Sequence, residues 1–291
     1  MQALYHSIFR FALTLTAIIT GSVAAPALVR AESETVYFGI YTAVKPTEQI
    51  AKFTPVAKAL AAAMSESLKR PVEVKFKVAA TYQEGLKDIV EGKVDFSRLG
   101  PATYIEATNA NPKLSLLAIE SKGGSTTDFG VICIKDDSPV SAVTDLKGKK
   151  FAFGDEASTI GRYLSQQYLL KHGIKAGDLA GFEYLGRHDA VAAAVGAGRF
   201  DAGAVKEETY KKLKASGTPL KELARFPNAS QAWVAKSDLN PEVLDALKAG
   251  LLGLEDKAAL KAIDADQIVQ GSEEDFKLVR EAINTNESFF R

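Results

Sequence analysis

The segment Lys150-Phe-Ala-Phe-Gly-Asp-Glu-Ala-Ser-Thr-Ile-Gly161 carries the residue types needed to hold an oxyanion. An apolar, strand-like run ends at Phe153. A tight turn follows, and Ser158-Thr159 opens a helical pattern. The first amides of a helix lack internal acceptors and carry the positive end of its dipole. With the Ser158 and Thr159 hydroxyls beside them, these amides form a site for a phosphate-like group, with Ile160 and Gly161 among the candidate ligands. Gly161 is expected to let a ligand approach closely. The same spacing also describes an ordinary N-cap at Ser158, and spacing alone leaves both readings open.

Two further strand-to-helix junctions carry polar groups. In Leu185-Gly-Arg-His-Asp-Ala190, His188 can donate to an anion, with a charge that would respond to pH. It also reads as a surface or capping histidine, and Arg187 reads as either solvated or functional. In Phe200-Asp-Ala-Gly-Ala-Val-Lys-Glu-Glu208, Glu208 can accept from a protonated ligand oxygen. Equally, it can be a first-turn acid that favours the helix dipole.

Enzymatic chemistry finds little support. There is no Gly-x-Ser-x-Gly, no His-Glu-x-x-His and no Walker loop. The histidines are His6, His172 and His188, and the single cysteine is Cys133, so neither a zinc site nor an internal disulfide is expected. Cys133 lies among Val131, Ile132 and Ile134 and reads as a buried structural thiol. Lys plus Arg total 36, as do Asp plus Glu, which gives no reason to expect nucleic acid or an anionic membrane surface as partner. A non-enzyme without cofactors is expected.

These junctions need a scaffold to bring them together. Residues 1–31 read as a cleaved export leader: His6 and Arg10 precede a short apolar run from Phe11 to Val23, and small residues follow at Ala24, Ala25 and Ala31. No cysteine stands near its end to be acylated, so a mature protein free of a lipid tether, in a periplasm, is expected. The mature chain then alternates strand-like and helical runs. Strands are expected at Val36–Tyr41, Val72–Val78, Val94–Leu99 and Leu114–Ile119, with helices at Pro46–Leu68, Tyr82–Glu91 and from Gly100-Pro101 onward. The pattern then restarts. Strands fall at Phe129–Ile134, Lys150–Phe153, Phe182–Leu185, Phe200–Ala204 and Ala232–Ala235. Helices fall at Thr159–Lys171, His188–Val195 and Glu207–Ala215, and a helical stretch runs from Pro241 to Phe290 with breaks near Gly271 and Ser272. Such alternation predicts an α/β fold with largely parallel sheets. The two runs predict two lobes: 34–125 plus 230–291, and 128–225. The glycine-rich run 123–127 and the loop Arg225–Ser230 are the expected crossovers, near 123–128 and 225–230. A cleft between the lobes, at the carboxyl ends of the strands, is the expected ligand site.

Taken together, the three junctions resemble the periplasmic phosphate/phosphite/phosphonate-binding proteins of ABC importers. The resemblance runs from about Tyr37 to Trp233 and more loosely to the end. Its ordered signatures are Phe38-Gly-Ile40, Tyr82, Gly92-Lys-Val-Asp95, Leu99-Gly-Pro101, Asp145-Leu-Lys-Gly148, Phe151-Ala-Phe-Gly-Asp155, Ser158-Thr159, His188-Asp-Ala190, Asp201-Ala-Gly-Ala204 and Trp233. It implies a type II periplasmic-binding fold in which Ser158, Thr159 and the amides after them grip the ligand oxygens. It also assigns His188 as a further donor, Glu208 as an acceptor (Glu207 if the alignment slips) and Tyr82 as a pocket tyrosine. Two positions depart from the family pattern. A pocket aromatic is replaced near Asp128, and an acid that holds an amino group is missing near Asn228 or Ala229. The departures favour a small tetrahedral oxyanion, and Asp128, facing the pocket, would favour a protonated one. Arg98 also replaces a residue that is usually apolar, either as a compensating charge or pointing to solvent.

The implied partners are the small oxyanion and an inner-membrane ABC permease, with the protein a monomer. The alternative that the family allows is a periplasmic sensor of an oxyanion such as arsenite, held through Cys133, which signals to the ectodomain of a histidine kinase.

Overall fold

Strand β1 (Glu34–Tyr41) turns Val36, Phe38 and Ile40 inward, and helix α1 (Pro46–Leu68) packs beside it. Pro46 sits in the first turn of α1, where its missing N–H costs nothing. Phe53, Val56, Ala57, Leu60 and Met64 recur at helical spacing and form its buried face. The helix stops at Lys69, which adopts the left-handed conformation, φ 55°. The computed structural model describes residues 33–41 and 45–291; the expected leader lies outside the described residues.

The chain continues through β2 (Val72–Ala79), α2 (Tyr82–Val90), β3 (Phe96–Leu99), α3 (Pro101–Ala110) and β4 (Ser115–Ser121). A second series follows: β5 (Thr127–Lys135), β6 (Lys150–Phe153), a π-type turn (Thr159–Leu164) leading into α4 (Ser165–Lys171), β7 (Gly181–Tyr184), α5 (His188–Gly196), β8 (Ala202–Lys206), α6 (Glu207–Ala215) and β9 (Leu220–Ala229). The chain then returns through β10 (Ala232–Ala235), α7 (Pro241–Leu252), α8 (Lys257–Ala262), β11 (Gln267–Val269) and α9 (Lys277–Thr285).

Two sheets result. One has the order β11-β4-β10-β3-β1-β2, the other β7-β6-β8-β5-β9. Strands joined by helices run parallel, as expected: β1 with β2 and β3, and β6 with β7 and β8. The remaining ladders are antiparallel, so the sheets are mixed rather than mainly parallel. β5 lies antiparallel between β8 and β9, β10 antiparallel between β3 and β4, and β11 antiparallel on β4. The reason is connectivity. β5 and β10 are the strands by which the chain enters one sheet and returns to the other, and no helical crossover precedes them to restore the direction.

The expected return loop at Arg225–Ser230 is mostly strand. Thr127–Phe129 of β5 pairs with Pro227–Ala229 of β9, with Asp128 opposite Asn228. Pro227 is tolerated because β9 is an edge strand. The three-residue β11 was likewise not expected within the C-terminal helical stretch.

The cores follow from the apolar faces. Under the first sheet, Phe38 stacks on Phe96 at 4.5 Å and both lie against the fully buried Trp233. α1, α7 and α8 cover this cluster through Leu60, Leu247 and Leu260. In the second sheet Val131, Cys133 and Ala152 pack against Val191 and Val195 of α5. These layers hold the strand ends β1, β3, β6 and β8 close to one another, and the polar residues of interest lie there.

Candidate functional site

Two helix starts face each other across a small cavity of about 30 Å³, lined among others by Gly100, Pro101, Ser158, Thr159 and Ile160. One start belongs to α3, the other to the π-type turn before α4. Ser158 is buried, and its Oγ accepts the Gly161 N–H at 2.9 Å, so the N-cap reading is correct as far as it goes. Thr159 reaches across the cavity: its Oγ1 accepts the Ala102 N–H of α3 at 2.8 Å. On the α3 side, Gly100 N–H donates to the Tyr41 hydroxyl at 2.6 Å. The amides of Thr159 and Ile160 have no acceptor among the described residues. Two positive dipole ends brought this close, with the free amides on the Thr159 side, favour an anion between them.

The turn after Ser158 is irregular. Tyr163 N–H donates to Ser158 O at 3.3 Å, a five-residue step, before the chain settles into α4. Irregularities of this kind often mark functional sites. Packing alone already requires Gly161. A Cβ there would meet Gly154 Cα at 2.7 Å and Ser158 Oγ at 2.9 Å, so the bare backbone serves the packing of the helix start on Gly154.

Tyr82 lines the same cavity at the start of α2, its ring 4.3 Å from that of Tyr41. Burial, aided by Tyr41, holds its hydroxyl well above the ordinary tyrosine range, so it remains an O–H donor.

The charges lie deeper than the sequence suggests. Arg98 does not point to solvent. Its Nε and Nη2 donate to Glu120 at 2.5 and 2.6 Å, and Glu120 also accepts the Trp233 Nε1 N–H at 3.1 Å. Lys206, the last residue of β8, has no carboxylate within ion-pairing distance among the described residues. Burial first, and the Arg98 charge second, pull its ammonium down to about 8. Arg98 and Lys206 border the small cavity and also two larger ones, of 230 and 520 Å³.

The remaining candidates are distributed over the larger spaces. Asp128 borders the 230 Å³ cavity, and burial raises its carboxyl despite the pull of Lys206. Glu208 borders both larger cavities and accepts from Lys52 Nζ at 2.9 and 3.1 Å. Burial pushes its carboxyl up, but Lys52, Lys206 and Arg98 together outweigh this and leave it below the ordinary range. His188 begins α5 and borders the 520 Å³ cavity at 2% exposure, with both ring nitrogens lacking a partner among the described residues. Burial and Lys206 pull it down to about 3, so the imidazole is neutral near pH 7. The charge response expected of His188 near neutrality is therefore absent in this state.

Tyr82, Ser158, Thr159 and Ile160 thus share one cavity, whereas His188, Glu208 and Asp128 border its neighbours. Cys133 borders none of the three. It is fully buried, its Sγ 3.5 Å from Gly203 O, and burial pushes the thiol up to about 12. No cluster of His, Cys, Asp and Glu suited to a metal occurs among the described residues. Sequence reasoning missed Tyr41, Gln49, Gly100, Lys206 and Gln231 as lining residues, and noted Asn228 only for what it lacks. For Gly100 the signal was present, since Gly100-Pro101 is itself a strand-to-helix junction. The Asn228 side-chain amide is buried, without a hydrogen-bond partner among the described residues, opposite Asp128 in the ladder.

Comparison with known proteins gives consistent results. The profile of the family described as "ABC transporter, phosphonate, periplasmic substrate-binding protein" matches residues 38–276. A protein of Mycolicibacterium smegmatis named phosphate-import protein PhnD is 28% identical over 193 residues, 60% of this chain and 60% of that protein's length. A Prochlorococcus marinus protein named probable ABC transporter phosphite binding protein PhnD1 is 25% identical over 234 residues, 72% of this chain and 77% of its own. The solved structure of P. marinus PhnD1 in complex with methylphosphonate superposes with a TM-score of 0.75 at 20% identity, covering 87% of this chain and 98% of that one. A binding protein component of an ABC phosphonate transporter from Pseudomonas aeruginosa gives 0.76 at 18% identity, covering 88% and 87%. These two structures share the fold.

Proposed function

Because the chain belongs to the periplasmic substrate-binding proteins of phosphonate ABC transporters, we propose that it captures a small phosphorus oxyanion (phosphate, phosphite or a small phosphonate) and delivers it to an inner-membrane permease. The observation that carries this reading is the pair of opposed helix starts, with the Thr159 and Ile160 amides free of acceptors among the described residues and Ser158 beside them. Tyr82 adds an O–H donor. The ligand oxygens occupy the space between Ser158 and Gly100.

The lobes, 34–125 with the return segment from 230 and 128–225, close on the ligand by hinge motion at the β4–β5 and β9–β10 connections. The expected bound of 230–291 needs correction at its end, because Asn286 and Phe289 pack on Gln166, Phe153 and Phe182 of the other lobe. The ligand must therefore bind the closed form better than the open one. Contacts that join the lobes in this structure include Thr159 with Ala102, Tyr163 with Glu106, Lys52 with Glu208, and Lys212 with Glu48. The protein acts outside the cytoplasm as a monomer and catalyses no reaction.

Thermal-shift screening against phosphate, phosphite, methylphosphonate and sulfate tests the reading. At least one phosphorus oxyanion should raise Tm, and Ser158→Ala should weaken its binding roughly tenfold, the usual scale for one hydrogen bond to a charged group. No shift with any of the phosphorus compounds would refute it.

A further inference from the structure

The 520 Å³ cavity beside the oxyanion site has a charge pattern that a simple phosphate does not use. Each acid that borders it is already paired: Glu48 with Lys212, Asp189 with Arg187, and Glu208 with Lys52. Its cations are not all paired. Arg98 is engaged by Glu120, but Lys206 has no carboxylate within ion-pairing distance among the described residues. His188 borders the same cavity and is buried; neither ring nitrogen meets hydrogen-bond geometry among the described residues, although the Ala204 backbone lies close enough to favour its protonated form. A half-buried cation with no ion-paired carboxylate, beside a buried imidazole, favours an anion that meets both.

Gln49, Arg98 and Lys206 line both this cavity and the 30 Å³ cavity that holds Ser158 and Thr159, so the two spaces are neighbours. The phosphoryl end has the helix amides and needs no further cation. We propose that the physiological ligand is a phosphonate that carries a second, carboxylate group: the phosphonate sits at the Ser158 helix start, and the carboxylate lies in the adjoining cavity against Lys206 and His188. The proposal rests on the phosphorus-oxyanion reading and narrows it to phosphonocarboxylates. Asp128, on the 230 Å³ cavity, has no cation within ion-pairing distance among the described residues. It repels a carboxylate from that side and leaves the His188 side as the favoured one.

The test is a matched pair. Phosphonoacetate and ethylphosphonate differ in a carboxylate against a methyl group, and both are titrated calorimetrically into the wild-type protein and into Lys206→Met. Phosphonoacetate should bind the wild type roughly ten- to a hundredfold more tightly, and the ratio should fall towards one in the variant. If ethylphosphonate binds the wild type and phosphonoacetate binds no more tightly, the proposal is overturned while the phosphonate reading stands. Equal weakening of both ligands by Lys206→Met would mean that Lys206 serves the phosphoryl group, which also overturns it. Failure of the wild type to bind either compound, phosphite or phosphate would remove the functional reading itself. Should circular dichroism show that Lys206→Met does not fold, the wild-type ratio alone decides.

Discussion

Replacing Glu120 with Gln should cost much more stability than a surface ion pair would, because Arg98 is held from within the protein. The two side chains are 11% and 8% exposed, and their two contacts measure 2.5 and 2.6 Å. Glutamine keeps the shape and one acceptor oxygen, but it turns an NH2 group toward the guanidinium and removes the charge. Breaking one partner of a buried pair typically costs about 3 to 5 kcal/mol, since the other charge is left behind. The Trp233 N–H also loses its charged acceptor. In a chain of this size each kcal/mol moves Tm by about 2 to 4 °C, so a fall of about 6 to 20 °C is expected. Differential scanning fluorimetry measures it directly. The uncovered Arg98 charge borders the oxyanion cavity, so saturating ligand should raise Tm more in Glu120→Gln than in the wild type. A Tm within about 2 °C of the wild type would show that Arg98 is effectively solvated and would refute the reasoning.

Three other outcomes follow from the same geometry. Gly161→Ala forces a Cβ to within 2.7 Å of Gly154 Cα, backbone against backbone, so the variant should lose about 1 to 3 kcal/mol and bind oxyanion weakly by calorimetry. His188 should show no imidazole titration between pH 5 and 8 in the NMR spectrum of the free protein, because it is held at about 3. Its folded value lies below the unfolded one, so the unfolded chain binds more protons in that window; stability should fall as pH drops below about 6.5, and less so in His188→Asn. Cys133 should resist thiol reagents until the protein unfolds, and Cys133→Ser should leave oxyanion affinity unchanged and confer no loss of arsenite binding by calorimetry.

Periodicity made most of the scaffold legible. The α1 helix announces itself through Phe53, Val56, Leu60 and Met64, and β2 through strict alternation. What the sequence hid depends on contacts distant in the chain. Pro227, Asn228 and Ser230 look like a loop, yet Pro227 and Asn228 lie in an edge strand because β5 supplies the ladder. Gln267–Val269 is too short for any period to show. At the site, Ser158 and Thr159 stood out because a helix start is a local feature, whereas the opposing amide of Ala102 comes from a junction 57 residues away. Lys206 was overlooked because a lysine at a strand end reads as solvated, and only the tertiary fold buries it beside Arg98. The crowding of Gly161 by Gly154 is likewise a contact that the local spacing does not reveal.

On the proposed reading, the oxyanion binds between the two opposed helix starts. A crystal structure of the protein with bound methylphosphonate tests it most directly. Phosphonate oxygens should lie within about 2.7 to 3.2 Å of the Thr159 or Ile160 amide nitrogens and within reach of Ser158 Oγ. A phosphonate bound only by Arg98 or Lys206 side chains, with those amides left free, would contradict it.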